Sequence, residues 1–341
     1  MFLSLFVVSA FAVLSVHGFS AVSGKKVAIL QSKGGGHGEI GFALAKALLD
    51  SNEVTILQDP ACKRTSQPFC EYDSEIIAKG VKVEDCDLSN ADAVCGALPG
   101  EWDVVIDNNN KDASFAEKLA SGVSTKQLFY VSSGGMYKEC PEGGALEAST
   151  PVKDDNACRQ VEVALQSSPI ADKVTIFRPQ YIYGDNTNKR SNVDWFVDRI
   201  CRDMPVPMPG DGSQLIALSH VDDVAALMCA GIDKEAGIYN CGTDKFISYR
   251  QVCELVASTL GKTAKIESYD PKALDKELGK PSFPFRPTTF TVNPNKAKSV
   301  LGWEGATHAL EADLPKWIEQ YKEAGLDKKE IVEDAAVSAV I

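Results

Sequence analysis

The 341-residue chain has no C-x-x-C pair and no cysteine/histidine cluster at zinc-ligand spacing, so no structural zinc site is expected. It has no N-x-S/T sequon, which counts against ordinary secretion, the alternative destination for a chain with an apolar leader. Internal repeats and low-complexity tracts are absent as well. It also lacks a basic excess. Thirty-five Lys and Arg against 47 Asp and Glu give a net charge of −12 and a pI near 4.9, so any contact with nucleic acid must come from a local patch and not from the whole surface. The apolar leader, MFLSLFVVSAFAVLSVHG over residues 1–18, has no Lys or Arg before it, yet its length and small-residue end read as a cleaved signal peptide. It is too short and too N-terminal for a membrane span, and no stable membrane partner is expected. The ten cysteines that are present include Cys229 and Cys253 inside apolar helical patterns. These read as buried free thiols, which suits a reducing compartment.

The strongest local signal is Gly34-Gly35-Gly36-His37-Gly38-Glu39-Ile40-Gly41, placed between the apolar run Val27-Ala28-Ile29-Leu30 and the helical pattern Phe42 to Leu49. Strand, glycine turn and helix in that order open a dinucleotide-binding βαβ unit, with Gly35, Gly38 and Gly41 spaced as G-x-x-G-x-x-G. Such glycines allow a tight turn, close backbone approach to a pyrophosphate and close helix packing, while the helix N-terminus offers free N–H groups to an anion. The competing reading is a glycine turn that only packs a helix. Glu39 weighs on that side, because a carboxylate beside a pyrophosphate repels it unless it points away.

Apolar strands then recur at 53–57, 81–83, 102–107, 127–131 and 173–179, separated by helical segments, as a doubly wound parallel sheet requires. Ligands in such sheets lie at the carboxyl ends of the strands. Gln58 and Asp59 follow the second strand, so an acidic ribose contact is shifted or absent there. Lys63 and Arg64 are candidates for a 2′-phosphate, or merely solvated. Asp87 and Leu88 follow the third strand, where an adenine would lie. Past 184 the composition turns to short helices and proline-rich loops. The expected division is a Rossmann-like domain over 25–184, a smaller C-terminal α/β lobe over 185–325 interleaved with it, and a loose tail over 326–341.

Taken together, the glycine turn, Asp87-Leu88, Ser132-Ser133 with Met136-Tyr137, Arg178-Pro179 with Tyr183-Gly184, Gly210-Asp211-Gly212, His220-Val221-Asp222-Asp223, Tyr239-Asn240 and Leu301-Gly302-Trp303 resemble the extended short-chain dehydrogenase/reductases, the NAD-dependent epimerase/dehydratases. The resemblance implies a site for NAD or NADP and proton transfer by a Tyr and a Lys four residues apart, the Lys lowering the Tyr pKa from about 10. Counted from Glu162, those positions hold Asp154 and Cys158 here. Ser133 alone stands where the family's substrate-polarising serine does, and a serine after a strand also forms turns.

A narrower resemblance is carried by Asp107-Asn108-Asn109 with Lys111-Asp112, Phe177-Arg178-Pro179-Gln180-Tyr181, Pro205-Val206-Pro207 and Phe283-Pro284-Phe285-Arg286. These segments are similar to the chloroplast stem-loop-binding proteins, atypical members of the same superfamily that lack the dyad. Phe19-Ser20-Ala21-Val22 likewise resembles the cleavage site of proteins sent to algal secondary plastids. The resemblance implies a plastid protein that binds stem-loop or ribosomal RNA, associates with ribosomes and cleaves RNA with help from a divalent metal. Physically, Asp107 and Asp112 offer oxygen ligands for Mg²⁺, or simply cap the next helix. Lys189 and Arg190 precede a helix on which Trp195, Arg199 and Arg202 share a face, so a base would stack on the Trp while the arginines meet phosphates, unless the acidic neighbours claim them. Tyr181 and Tyr183 either line the ligand cleft or pack the core. The rivals to the RNA reading are an NAD(P)-dependent epimerase or dehydratase using Tyr137 or Asp154 as acid/base, and a non-catalytic nucleotide-binding scaffold. A homo-oligomer stays open.

Overall fold

A computed structural model describes residues 22–31, 36–108, 110–187, 191–272 and 283–331; the leader, Gly35, Lys189 and Arg190 lie outside the described residues. The first half alternates as β1 (Lys26–Gln31), α1 (Gly36–Leu48), β2 (Glu53–Gln58), α2 (Tyr72–Glu75), β3 (Lys82–Asp85), α3 (Ala91–Ala97), β4 (Glu101–Asp107), α4 (Ala113–Gly122), β5 (Ser124–Val131), α5 (Ala157–Gln166) and β6 (Val174–Pro179). The second half runs β7 (Ile182–Tyr183), α6 (Asp194–Cys201), β8 (Pro205–Pro209), β9 (Leu215–Ile216), β10 (Ser219–His220), α7 (Val221–Ala230), β11 (Gly237–Cys241), β12 (Ile247–Ser248), α8 (Tyr249–Leu260), β13 (Lys265–Tyr269) and α9 (Leu310–Glu323).

Seven strands form one parallel sheet in the order β11-β6-β5-β4-β1-β2-β3. Strands buried on both faces must be apolar throughout, and β1 meets this with four consecutive buried residues, Val27 to Leu30. One face is covered by α1 and α7 through Ile40, Leu44, Leu48, Val224 and Met228. The other is covered by α3, α4 and α5 through Val94, Phe115, Leu119, Val161 and Leu165. Connections reverse direction between β1 and β4, which opens a crevice over the carboxyl ends of the strands.

α7, β11 and the turn carrying Leu301 and Trp303 belong to the first layer of the sheet, although all lie past residue 184. The smaller lobe packs α6, α8, α9 and the parallel pair β8–β13 around Phe196, Met208, Tyr249, Val256 and Leu314. Its α8 begins with a reciprocal capping box between Ser248 and Gln251. At the start of the tail, Leu326–Lys328 form a 3₁₀ turn, and Arg202 donates to the carbonyls of Leu326 and Lys329 at 2.5 and 2.6 Å. Residues 332–341 lie outside the described residues. Among the described residues, no helix is long and apolar enough to cross a membrane.

Candidate functional site

At the carboxyl ends of β1 and β4, Gln31 Oε1 accepts from Asn108 Nδ2 at 3.1 Å, and α1 crosses directly above. A Cβ on Gly41 would stand 1.6 Å from that oxygen, so only glycine lets α1 approach the sheet this closely. This is the close-packing role expected of the third glycine. Glu39 is buried in the first turn of α1. Beyond β2, β3 and β4 lies a cavity of about 460 Å³ walled by Asp59, Asp87, Leu88, Asn110, Lys111 and Asp112. Asp87 accepts from the Ser89 hydroxyl at 2.6 Å and amide at 3.0 Å, and these bonds hold its carboxyl below the usual range. Gln58 is turned inward, donating to the Gln31 carbonyl at 3.0 Å, so Asp59 is the β2-end residue that faces the cavity. Arg64 is taken by Asp73 at 2.8 Å and does not line the cavity.

The other end of the crevice is built from a buried polar chain. Arg178 donates Nε and Nη2 to Glu162, and Nη1 to the Tyr137 hydroxyl at 2.9 Å. Tyr137 in turn donates to Asn240 Oδ1 at 2.7 Å, and Ser132 donates to Glu162 at 2.6 Å. Desolvation pushes the Tyr137 hydroxyl up to about 12. Tyr137 is therefore a fully bonded core residue, which removes it as the acid/base candidate. Ser133 accepts from the Gly135 amide at 3.1 Å and caps a 3₁₀ turn, as a turn former does. Asp154 is exposed, with the Lys138 ammonium 3.7 Å away. Cys158 is buried on the first turn of α5 beside Tyr130, and burial pushes its thiol up, so neither charge nor acidity is available there.

The sequence profile of the NAD dependent epimerase/dehydratase family matches residues 34–242. This chain belongs to that family. A chloroplast stem-loop binding protein of 41 kDa from Arabidopsis thaliana is 31% identical over 323 residues, covering 86% of this chain and 81% of its own length. A UDP-glucuronate 4-epimerase from Thermodesulfobacterium geofontis is 24% identical over 67% of this chain and 69% of its own. Among solved structures, dTDP-glucose 4,6-dehydratase from Bacillus anthracis superposes with a TM-score of 0.66 at 15% identity, covering 88% of this chain and 98% of that one. UDP-glucuronic acid 4-epimerase from Bacillus cereus, in complex with NAD, superposes at 0.62 and 16% identity over 87% and 98%. The fold is thus that of the epimerase/dehydratase family, while the two dyad positions carry other chemistry.

Three alternatives that the sequence left open take their structural form in this epimerase-family chain. The arginine face does not form: Arg199 is 4% exposed and donates to the Pro205 carbonyl at 2.5 Å, and its guanidinium lies 5.1 Å from the Trp195 ring. Arg202 pairs with Asp198 and holds the chain near 326–329, and Trp195 packs on Phe196 and Phe283. The acidic neighbours and the fold's own carbonyls have claimed both guanidinium groups. Asp107 and Asp112 accept from backbone amides, Asp107 from Asn110 N at 3.1 Å and Asp112 from Ser114 N at 2.8 Å as the cap of α4, and among the described residues they belong to no group of His, Cys, Asp or Glu ligands close enough to share an ion. Tyr183 packs the core, stacked on Trp317 with its hydroxyl on Asp313 at 2.8 Å.

Among the described residues, the one trio of ligand-type atoms close enough to share an ion is His220, Asp222 and His308. The two imidazoles are stacked, centroids 3.6 Å and planes 6° apart, so their in-plane lone pairs run parallel and do not converge on one point. The trio reads as a packing contact between β10, α7 and the segment before α9. Two cleft cations carried no role in the sequence. Arg286 caps the carbonyls of Gly135 and Tyr137 at 2.7 and 3.0 Å, its guanidinium over the Phe290 ring. Lys111 lines the nucleotide-end cavity. The available signal was a lone cation inside an otherwise apolar or acidic segment, Phe285-Arg286-Pro287 in one case and Asn110-Lys111-Asp112 in the other.

Proposed function

We propose that this chain is a plastid RNA-binding member of the epimerase/dehydratase family that has kept the nucleotide crevice and lost proton transfer to a sugar. The observation that carries this is the pair Asp154 and Cys158: an exposed carboxylate paired with Lys138 and a buried neutral thiol stand where acid and cation would be needed. The 31% identity to a chloroplast stem-loop binding protein supports RNA as the partner and the plastid as the compartment. The crevice would hold NAD or NADP through the glycine turn with Gly41, Asp59, Asp87 and Leu88. A nicotinamide nucleotide supplies hydride transfer where a proton partner exists, and here the chain's part is reduced to binding.

Phosphates would be met at the rim. Lys138 and Lys153 face outward from a short antiparallel ladder, in which Lys138 N donates to Pro151 O at 2.8 Å and Lys153 N to Met136 O at 2.9 Å, while Tyr137 between them points inward. Filter binding of a stem-loop RNA over a salt series tests the reading. The expected result is binding that weakens steeply with salt, and a slope that flattens by about 1.4 on replacing both lysines by Glu, since each single-strand phosphate contact adds about 0.7 to it. Absence of binding at low salt, or NAD(P)-dependent turnover of a nucleotide sugar at enzymatic rates, would overturn it.

A further inference from the structure

We propose that Lys111 is the phosphate-binding cation of the nucleotide crevice. The inference rests on the nucleotide-binding half of the function proposed above.

Among the described residues, the cavity at the nucleotide end has three carboxylates in its wall, Asp59, Asp87 and Asp112, and one cation, Lys111. An anionic phosphate brought next to three carboxylates in a chain of net charge −12 is repelled unless a positive charge intervenes. Each carboxylate is already satisfied by local donors: Asp59 by Ala61 N at 2.8 Å, Asp87 by Ser89, and Asp112 by the amides that open α4. Lys111 is the opposite case. Its side chain is exposed and makes no hydrogen bond or ion pair among the described residues.

Its backbone, in contrast, is clamped on both sides. Asn110 gives its amide to Asp107 at 3.1 Å, and its carbonyl accepts from the Tyr130 hydroxyl at 3.0 Å. The Asn110 side chain bridges over Lys111 to both backbone groups of Asp112, accepting from its amide at 2.7 Å and donating to its carbonyl at 3.1 Å. Asp112 is fixed in turn as the cap of α4. A free ammonium on a rigid base loses little backbone entropy when it binds, which is how a point-charge phosphate contact is best presented.

Calorimetric titration of the full chain with ADP-ribose and with adenosine tests this, using wild type, Lys111→Ala, Lys111→Arg and Lys111→Glu, with thermal unfolding to confirm that each variant is folded. Wild type is expected to prefer ADP-ribose. Lys111→Ala should weaken ADP-ribose about tenfold while leaving adenosine unchanged, Lys111→Arg should retain binding, and Lys111→Glu should weaken ADP-ribose further. Equal ADP-ribose affinity in wild type and Lys111→Ala, or an equal loss for adenosine, overturns the role of Lys111 and leaves the nucleotide reading intact. Wild type that binds neither compound overturns both.

Discussion

Arg178 grips Glu162 through two parallel hydrogen bonds, Nε to Oε1 at 2.8 Å and Nη2 to Oε2 at 2.6 Å, with side chains only 2% and 0% exposed. The pair joins the end of β6 to α5, and through Tyr137 and Asn240 it reaches β11 and the carbonyls of Ala145 and Asn293. Removing one partner strands a buried charge. Arg178→Met is therefore expected to cost about 3–5 kcal/mol, whereas Arg178→Met with Glu162→Leu should cost less than either single change. Thermal or urea unfolding of the four proteins in the cycle checks this. Additive losses would mean that the two side chains do not act as a unit.

Gly41→Ala should be destabilising by about 1–3 kcal/mol, because its methyl would overlap Gln31 Oε1, and Gln31 is buried and bonded to Asn108. Nucleotide binding should weaken with it, since α1 must move off the crevice. Shortening the obstacle, Gln31→Ala in the Gly41→Ala background, should restore part of the stability. Unfolding midpoints for the single and double variants decide the point, and a double variant no better than Gly41→Ala would show that the overlap is not the cause.

The parallel sheet and its flanking helices were legible in the sequence because they rest on period and local chemistry: apolar runs such as Val27–Leu30, the cap Ser248, the breaker glycines. Asp154 and Cys158 at the two dyad positions are read from the sequence alone, by counting from Glu162. The fate of surface-type residues was not legible. Arg199 and Arg202 read as a basic face because helical spacing puts them together, but spacing says nothing about Pro205 or residues 326–329, which reach them from elsewhere in the chain. Asp107 and Asp112 illustrate the same limit: a carboxylate at a strand end serves a metal or an amide equally well in sequence, and the turn geometry decides for the amide.

Arg202 is expected to be a fastener of the chain end and not a phosphate contact. It donates to the carbonyls of Leu326, Lys329 and Asp198 from a position on the C-terminal side of α6. Arg202→Ala should cost about 1–3 kcal/mol for the acceptors left without their donor and should open the segment after α9 to proteolysis. The salt slope of RNA binding should not change. A variant with native stability and protection but a flatter slope would return Arg202 to the RNA surface.

Acid should destabilise the fold through the stacked histidines. The imidazoles of His220 and His308 lie face to face at 3.6 Å, and burial together with His308 holds the His220 pKa below its ordinary 6.5. Asp222 and Asp223 on α7, and Asp313 on α9, pull the other way without reversing the direction. Tyr183 faces His220 edge-on and donates a hydrogen bond from its hydroxyl to Asp313. A base whose folded pKa is depressed binds its proton more readily in the unfolded chain. Its stabilising contribution is therefore complete above about pH 6.5 and is lost as the pH falls from there through the folded pKa. His220→Asn keeps a side chain able to accept the Asp222 amide at the start of α7, a bond His220 Nδ1 now makes at 3.2 Å, but has no proton to gain. Urea midpoints measured between pH 7.5 and 5 should fall more steeply for wild type than for His220→Asn, and parallel curves would remove the histidine stack as the source of acid sensitivity.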